Sequence, residues 1–187
     1  MYDLTAALER FDPITEQEAR DKSVLLALLS RENDLYSRAF PAHLTASAWV
    51  LNRGHDKALM AFHNIYKSWS WLGGHADGEK DLPGVALREV REESGVSSAR
   101  LASPDIFSVE ILTVNGHEKN GEFVSSHLHL NVTYLIEADE NDPLFVKADE
   151  NSAVRWFALS QAPAASAEPW MRRYVYEKLN RRLRAMG

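Results

Sequence analysis

The chain has 187 residues, a formal net charge of -6 and no cysteine, and 45% of its residues are hydrophobic and 26% are charged. These values are typical of one folded domain, with or without helical additions, and they exclude disulfides, a thiolate zinc site and a cysteine nucleophile. The net negative charge disfavours nucleic acid as a partner. The sequence has no apolar run of about 20 residues, and it has no basic segment followed by an apolar one at its N-terminus. We therefore expect a cytoplasmic protein with no membrane partner.

The N-terminal residues predict a helix outside the main domain. Thr15 and Glu18 have the spacing of a capping box. Apolar residues follow them on one stripe: Val24, Leu25, Leu28 and Leu29. We therefore expect a helix over residues 15–30, within an N-terminal extension of residues 1–43 that packs on the domain.

From Leu44 onward, the spacing of apolar residues changes to two, which predicts strands. LTASAWVLN and KALMAFH flank a turn near Gly54, SWSWL is a short strand, and DIFSVEILTV, EFVSSHLHLNVTYLIEA and VRWFAL are later strands. A C-terminal helix over residues 168–185 carries an apolar stripe of Met171, Val175, Leu179 and Leu183. Strands and helices are mixed within residues 44–187, which indicates an α+β or three-layer α/β/α domain.

A helix between Leu82 and Ser94 is predicted in the most acidic part of this domain. Pro83 suits the first turn of a helix, Asp81 is the expected N-cap, and Gly95 is suited to a left-handed residue at the end. One side of this helix is apolar, formed by Leu82, Ala86, Leu87 and Val90. That side should pack against the core.

The adjoining side of the same helix presents Glu89, Glu92 and Glu93. Like charges three and four residues apart repel, and the helix dipole disfavours anions near its C-terminus. Arg88 and Arg91 offset part of this repulsion, and the alternative is a simple solvated face held by the two arginines. Clustered carboxylates are also the ligands that Mg²⁺ or Mn²⁺ requires.

The stretch GGHADGEKDLPGVALREVREESGV resembles the signature of the Nudix (MutT-like) hydrolases, which is G, five residues, E, seven residues, then REUxEExGU, where U is aliphatic. Eight of nine fixed positions agree: Gly74, Arg88, Glu89, Val90, Glu92, Glu93, Gly95 and Val96. The departure is Lys80, which stands where the family has its first glutamate. The sequence of this segment also resembles that of a bacterial subgroup whose loop reads GGHADG. The resemblance extends from about Thr45 to Leu159.

This resemblance implies an α/β/α sandwich around a mixed sheet. It also implies hydrolysis of a diphosphate bond in a nucleoside diphosphate linked to another moiety. The implied cofactor is Mg²⁺ or Mn²⁺, with more than one ion bound. By motif position, Glu89, Glu92 and Glu93 bind metal, the Gly73 carbonyl joins them, and Arg88 orients the carboxylates. Family members take the general base from a loop before the last strand. Glu150 is the candidate in this sequence, with Asp149 as the alternative. Family analogy also implies a homodimer.

Other residues are candidates for contact with the substrate. His127 and His129 share one face of a strand, where they contact a substrate or metal or form a surface pair. His75 lies beside the motif glycines, where it contacts phosphate or hydrogen-bonds within the loop. Trp69, together with Trp71 and Tyr66, stacks on a base or belongs to the core.

Two rival functions differ in class from a hydrolase. The first is a sensor of the same fold that binds a nucleotide derivative without turnover, which Lys80 favours and the intact glutamates oppose. The second is a nucleic-acid-binding protein, whose candidate surface is the basic cluster of the C-terminal helix. That cluster is Arg172, Arg173, Lys178, Arg181, Arg182 and Arg184, and its alternative interpretation is a charged outer face opposite the apolar stripe. A small molecule fits the sequence better than nucleic acid as the partner that this protein binds.

Overall fold

A mixed sheet built around one long buried strand, β1 (Ala42–Asn52), forms the centre of the fold in the computed structural model, which describes residues 2–31, 34–119 and 121–186. The other strands of the 8-stranded sheet are β2 (Lys57–His63), β3 (Ser68–Ser70), β4 (Leu72–His75), β5 (Arg100–Leu101), β6 (Ser108–Val114), β9 (His127–Ala138) and β10 (Asn151–Ala158). A separate hairpin consists of β7 (His117–Lys119) and β8 (Glu122–Val124).

Strand β1 pairs with β9 in parallel along its whole length and with β2 and β4 in antiparallel. Residues 43–52 are all buried, as expected for a strand covered on both faces. Its side chains alternate between two apolar layers. Ala48 and Val50 belong to the layer that contains helix α3 (Leu82–Ser94), whereas Trp49 and Leu51 belong to the layer that contains the C-terminal helix. The predicted α/β/α sandwich around a mixed sheet is therefore confirmed.

Helix α3 has the predicted bounds. Gly95 ends it with φ at 75°, a left-handed conformation that glycine adopts without strain. Asp81 occupies the N-cap position, but its side chain makes no capping hydrogen bond, and its backbone carbonyl alone accepts one from the Val85 N–H at 2.9 Å. The cap therefore acts through the backbone and Pro83 rather than through the predicted carboxylate.

The N-terminal helices α1 (Leu4–Arg10) and α2 (Glu16–Leu29) pack on the sheet, with Leu8 and Leu25 in the same apolar layer as Val50. Thr15 caps α2 as predicted, its Oγ1 accepting from the Glu18 N–H at 3.1 Å. The division of the chain at residues 43 and 44 stays a prediction.

The C-terminal part contains α4 (Ala162–Ala165) and α5 (Pro169–Met171), a π-helical segment (Arg172–Tyr176) and α6 (Glu177–Ala185). The predicted C-terminal helix is present as one continuous helical run over residues 169–185, in which a π turn at Arg172–Tyr176 interrupts the α-helical hydrogen bonding. Val175 and Leu179, four residues apart, are both buried in the apolar layer that this helix covers. The long run EFVSSHLHLNVTYLIEA is likewise divided at residues 125–126, where the Ser126 hydroxyl accepts from the Gly116 N–H. In the described residues, no helix is long and apolar enough to cross a membrane.

Candidate active site

A cleft of about 930 Å³ collects most of the residues that the sequence singled out. It is lined by parts of β1, β4, α3 and β9 and by the loop before β10. The predicted residues among its lining are Gly73, His75, Arg88, Glu89, Glu92, Glu93, His127, His129, Asp149 and Glu150. Trp69 is not among the lining residues.

Glu93 is the most deeply buried carboxylate of the motif, with 7% of the residue exposed. Its Oε2 accepts a hydrogen bond from the Gly73 N–H at 3.0 Å. Burial raises the pKa of Glu93 to about 8, and the nearby carboxylates Glu89 and Glu150 act in the same direction. A carboxyl group with so little positive charge around it would hold its ionised form far better beside a cation.

Glu89 lies against Gly74 of β4, and burial raises its pKa as well. A Cβ built on Gly74 would lie 2.5 Å from the Glu89 carboxyl carbon. The motif therefore requires glycine at this position, because any side chain would displace the carboxylate.

Two cations bracket the exposed side of the glutamates. Arg88 contacts Glu89 at 3.1 Å and Glu92 at 3.7 Å. Lys147, in the loop before β10, lies 3.0 Å from Glu150 and 3.8 Å from Glu92. Lys147 was not recognised from the sequence, where a lone lysine in a loop carries no signal of its own.

The loop before β10 is joined to the end of α3. Asn151, the first residue of β10, donates from Nδ2 to the Glu93 backbone carbonyl at 3.2 Å. This contact brings Glu150 beside the motif glutamates and explains the effect of its charge on Glu93.

Four histidines meet in the same cleft: His43, His75, His127 and His129. The Nε2 atom of His129 lies 3.2 Å from Nε2 of His75 and 3.1 Å from Nε2 of His127. Burial, followed by the neighbouring histidines, lowers the pKa of His129 to about 2. His43 was missed from the sequence, because the parallel pairing that sets His43 opposite His129 cannot be read from either strand alone.

The aromatic residues are divided between the cleft and the core. Trp71 and Tyr66 line the cleft. Trp69 packs edge-on against Phe62 and Phe157, and it belongs to the apolar layer that contains the C-terminal helix. Its surroundings are those of a core residue.

A buried polar network runs from the floor of the cleft to the outer helices. The Asn131 side chain accepts from the hydroxyl groups of Thr45 and Ser47 and donates to Glu110 at 2.9 Å. Glu110 in turn accepts from Lys178 at 2.8 Å. The cleft floor is therefore held by hydrogen bonds that reach the C-terminal helix.

Lys178 and Arg182 belong to this interior rather than to a charged outer face. Lys178 is 1% exposed, and Arg182 donates to Glu18 at 2.9 Å. The interpretation of the whole basic cluster as an outer face is therefore wrong for these two residues, because Glu18 and Glu110 need cationic partners in the interior. Lys178 is therefore inaccessible to a nucleic acid, and the guanidinium of Arg182 contacts Glu18.

The sequence matches the family model of the NUDIX domain over residues 41–178. Comparison with curated proteins gave no match. Among solved structures, the chain is similar to an Ap4A hydrolase binary complex from C. elegans, with 19% identity, a TM-score of 0.54, and coverage of 76% of this chain and 96% of that chain.

A hydrolase of the NUDIX family from Clostridium perfringens is also 19% identical, with a TM-score of 0.51 and coverage of 74% of this chain and 96% of that chain. The Nudix hydrolase RenU from M. smegmatis is 15% identical, with a TM-score of 0.52 and coverage of 79% and 87%. These likenesses show a shared fold. Together with the match to the family model over most of the chain, they show that this protein belongs to the Nudix family.

Proposed function

We propose that the protein hydrolyses a diphosphate bond in a small molecule, a nucleoside diphosphate linked to another moiety, with Mg²⁺ or Mn²⁺ as cofactor. The observation that carries the proposal is that Glu89, Glu92 and Glu93 line one cleft together with Gly73 and Gly74 of β4. Family membership supports the reaction class. The loop reading GGHADG further supports assignment to the bacterial subgroup with that loop, and a cytoplasmic location and a homodimer complete the proposal.

The donor set fits a divalent cation. Carboxylate and carbonyl oxygens are the ligands that Mg²⁺ prefers, and the residues that would supply them are Glu89, Glu92, Glu93 and the Gly73 carbonyl. The family resemblance implies that these ligands serve more than one ion. When bound, such ions neutralise the negative charge of a diphosphate and lower the pKa of a bound water.

Arg88 and Lys147 are positioning residues in this proposal. Arg88 contacts both Glu89 and Glu92, so it holds two carboxylates in a fixed relation. Lys147 contacts Glu92 and Glu150, which links the helix to the loop that carries the candidate base. Both cations also reduce repulsion between these acidic groups and a diphosphate anion.

Glu150 is the proposed acceptor for the proton of the attacking water, with Asp149 as the alternative. Both line the cleft, and the carboxylate of Glu150 is fixed by Lys147 at 3.0 Å. Loss of a general base lowers the rate by about 10²- to 10⁴-fold. The rates of Glu150→Gln and Asp149→Asn, measured at several pH values, distinguish the two candidates. The variant that loses both the rate and its pH dependence is the one that lacks the general base.

The test of the function is a screen of the full chain with Mg²⁺ and with Mn²⁺. The substrates are nucleoside triphosphates, nucleotide sugars, dinucleoside polyphosphates, NADH, ADP-ribose and capped RNA. Glu93→Gln should lower the rate of the activity that the screen detects by at least about 100-fold. Loss of a residue that only hydrogen-bonds to a metal ligand costs about 10- to 100-fold, and loss of a ligand itself should cost more. Glu16→Gln, an exposed glutamate on α2, is the matched control and should retain the rate.

Two results contradict the hydrolase proposal. One is a verified activity that Glu93→Gln leaves unchanged. The other is metal-dependent binding without turnover of any substrate class, which would establish the sensor function instead.

A further inference from the structure

Three strands bring the four histidines together. His43 lies on β1, His75 on β4, and His127 and His129 on β9. One ligand atom from each of the four lies within 4.8 Å of the others. His43 and His129 are direct partners in the parallel pairing, and β4 pairs with the other edge of β1. The rigid centre of the sheet therefore sets the spacing of the cluster.

The contacts at the centre of the cluster cannot all be hydrogen bonds between neutral rings. Nε2 of His129 has close contacts with Nε2 of His75 at 3.2 Å and with Nε2 of His127 at 3.1 Å. A ring nitrogen of neutral histidine carries at most one proton, so His129 can donate to one of these neighbours but not to both. These separations are close to the roughly 3.3 Å between ligand nitrogens of a tetrahedral ion whose Zn–N distances are about 2.0–2.1 Å.

Two of the rings are oriented by backbone carbonyls. Nδ1 of His43 lies 2.8 Å from the Phe40 carbonyl oxygen, and Nδ1 of His127 lies 2.8 Å from the Ser125 carbonyl oxygen. Because a carbonyl can only accept, each Nδ1 carries the proton and each Nε2 of the neutral ring has a lone pair. Metal-binding histidines commonly have this outer hydrogen bond to a carbonyl or carboxylate.

Nε2 of His43 gives an independent indication of a ligand. It is buried and has no hydrogen-bond partner among the described residues. The centroid of the His43 ring lies 5.1–5.2 Å from those of the other three imidazoles. Because buried polar nitrogens are normally paired, an unpaired one within this group indicates an electron-pair acceptor at that place.

We propose that His43, His75, His127 and His129 bind one transition-metal ion of the class that prefers imidazole nitrogen, represented by Zn²⁺. Imidazole favours Zn²⁺ and its first-row neighbours, whereas Mg²⁺ favours oxygen, so this site is chemically distinct from the motif carboxylates. The ion would join the end of β4 to β1 and β9. It would thereby stabilise β4, the strand that contains Gly73 and Gly74. The proposal does not depend on which substrate the cleft accepts.

The test is metal binding by the full chain after treatment with a chelator. Titration with Co²⁺, followed by its visible spectrum, should give one equivalent with the intense bands of tetrahedral coordination, and Zn²⁺ should displace it. His75→Asn and His127→Asn should each weaken binding by more than about 100-fold, since loss of even an outer partner weakens metal sites by about 10- to 100-fold.

Two control variants separate this site from its surroundings. His117→Asn is matched to His127→Asn, because Nδ1 of His117 likewise contacts a carbonyl two residues earlier, at 3.0 Å from Asn115. Glu93→Gln removes the proposed magnesium ligand and leaves the histidines. Both controls should retain the Co²⁺ spectrum, and Glu93→Gln should do so while losing Mg²⁺-dependent hydrolysis.

Three results would overturn the proposal: wild-type protein that takes up no stoichiometric Co²⁺ or Zn²⁺, histidine variants that bind as tightly as wild type, or binding that is lost in Glu93→Gln alone. Circular dichroism confirms that each variant is folded. If both histidine variants unfold, imidazole nitrogen NMR shifts of the wild type decide. Zn²⁺ must then move the signals of these four rings and not that of His117.

Discussion

The carboxylate of Glu93 on helix α3 accepts a hydrogen bond from the backbone N–H of Gly73 on strand β4 at 3.0 Å. One neutral donor is weak compensation for a carboxylate that is 7% exposed. We therefore expect the charge state of the buried Glu93 to depend on whether a cation occupies the cleft.

In the presence of a chelator, the free energy of unfolding should decrease as pH rises. The unfolded chain releases the Glu93 proton near pH 4.5, whereas the folded chain retains it up to about pH 8. The unfolded state therefore binds fewer protons in this range, so the free energy of unfolding falls as pH rises. At about 1.4 kcal/mol per pKa unit, the free energy of unfolding of the wild type should fall by on the order of 5 kcal/mol over this pH range, relative to that of Glu93→Gln.

Urea unfolding at pH values between about 4 and 9 measures this difference, with Glu16→Gln as the control that should follow the wild type. Saturating Mg²⁺ should reduce the loss, because a cation stabilises the ionised carboxylate. Parallel curves for wild type and Glu93→Gln would show that Glu93 is ionised throughout.

Gly74→Ala should impair turnover without unfolding the protein. The added Cβ would lie 2.5 Å from the Glu89 carboxyl carbon, so the carboxylate must move by about 1 Å. Displacements of this size lower rates by about 100-fold. Steady-state kinetics measure the change in kcat, and thermal unfolding should differ little from the wild type.

Gly54→Ala is the matched control for this substitution, since Gly54 lies in the turn after β1 and its Cβ would approach the Asp56 side chain at 3.2 Å. Equal activities of the two variants would contradict the role given to Gly74.

Lys80→Glu restores the family glutamate, and we expect it to change kcat/KM by less than about threefold. Lys80 is exposed and is not among the residues that line the cleft. Exposed substitutions of this kind alter stability by about 0.5 kcal/mol or less. A rate increase above about tenfold would show that the missing glutamate limits catalysis.

Lys178→Met should lower the free energy of unfolding by about 3–5 kcal/mol, the usual effect of removing one partner from a buried ion pair. The substitution leaves Glu110 without its cation and Glu18 with Arg182 alone. Urea unfolding of Lys178→Met and of Arg181→Met, an exposed residue on the same helix, provides the comparison. Similar midpoints for both would show that the interior cation contributes little.

Much of the central domain could be predicted from local patterns. The bounds of α3 follow from Pro83 and Gly95, and the carboxylate stripe follows from helical spacing. Local patterns also predicted the cap at Thr15. These features depend on contacts within a few residues, which one sequence displays directly.

Features that depend on distant pairing could not be predicted in this way. His43 joins the histidine cluster because β1 and β9 are parallel neighbours in the sheet. These strands are far apart in the sequence, as shown by Thr45 and Asn131, which hydrogen-bond across them and are separated by 86 positions. Glu18 has the spacing of a capping residue, but its carboxylate contacts the Ile14 N–H and also lies buried against Lys178 and Arg182. Neither arrangement has a local signal.

The interior ion network also bears on how the chain completes its fold during synthesis. Glu18 and Arg182 are separated by 164 positions, so the acidic members of the network are made long before the cations that neutralise them. Until α6 is added, Glu18 and Glu110 can be buried only without the cations that neutralise them. We therefore expect the sheet to close tightly around its polar centre only after α6 has left the ribosome, which makes α6 a part of the folded core rather than a peripheral addition.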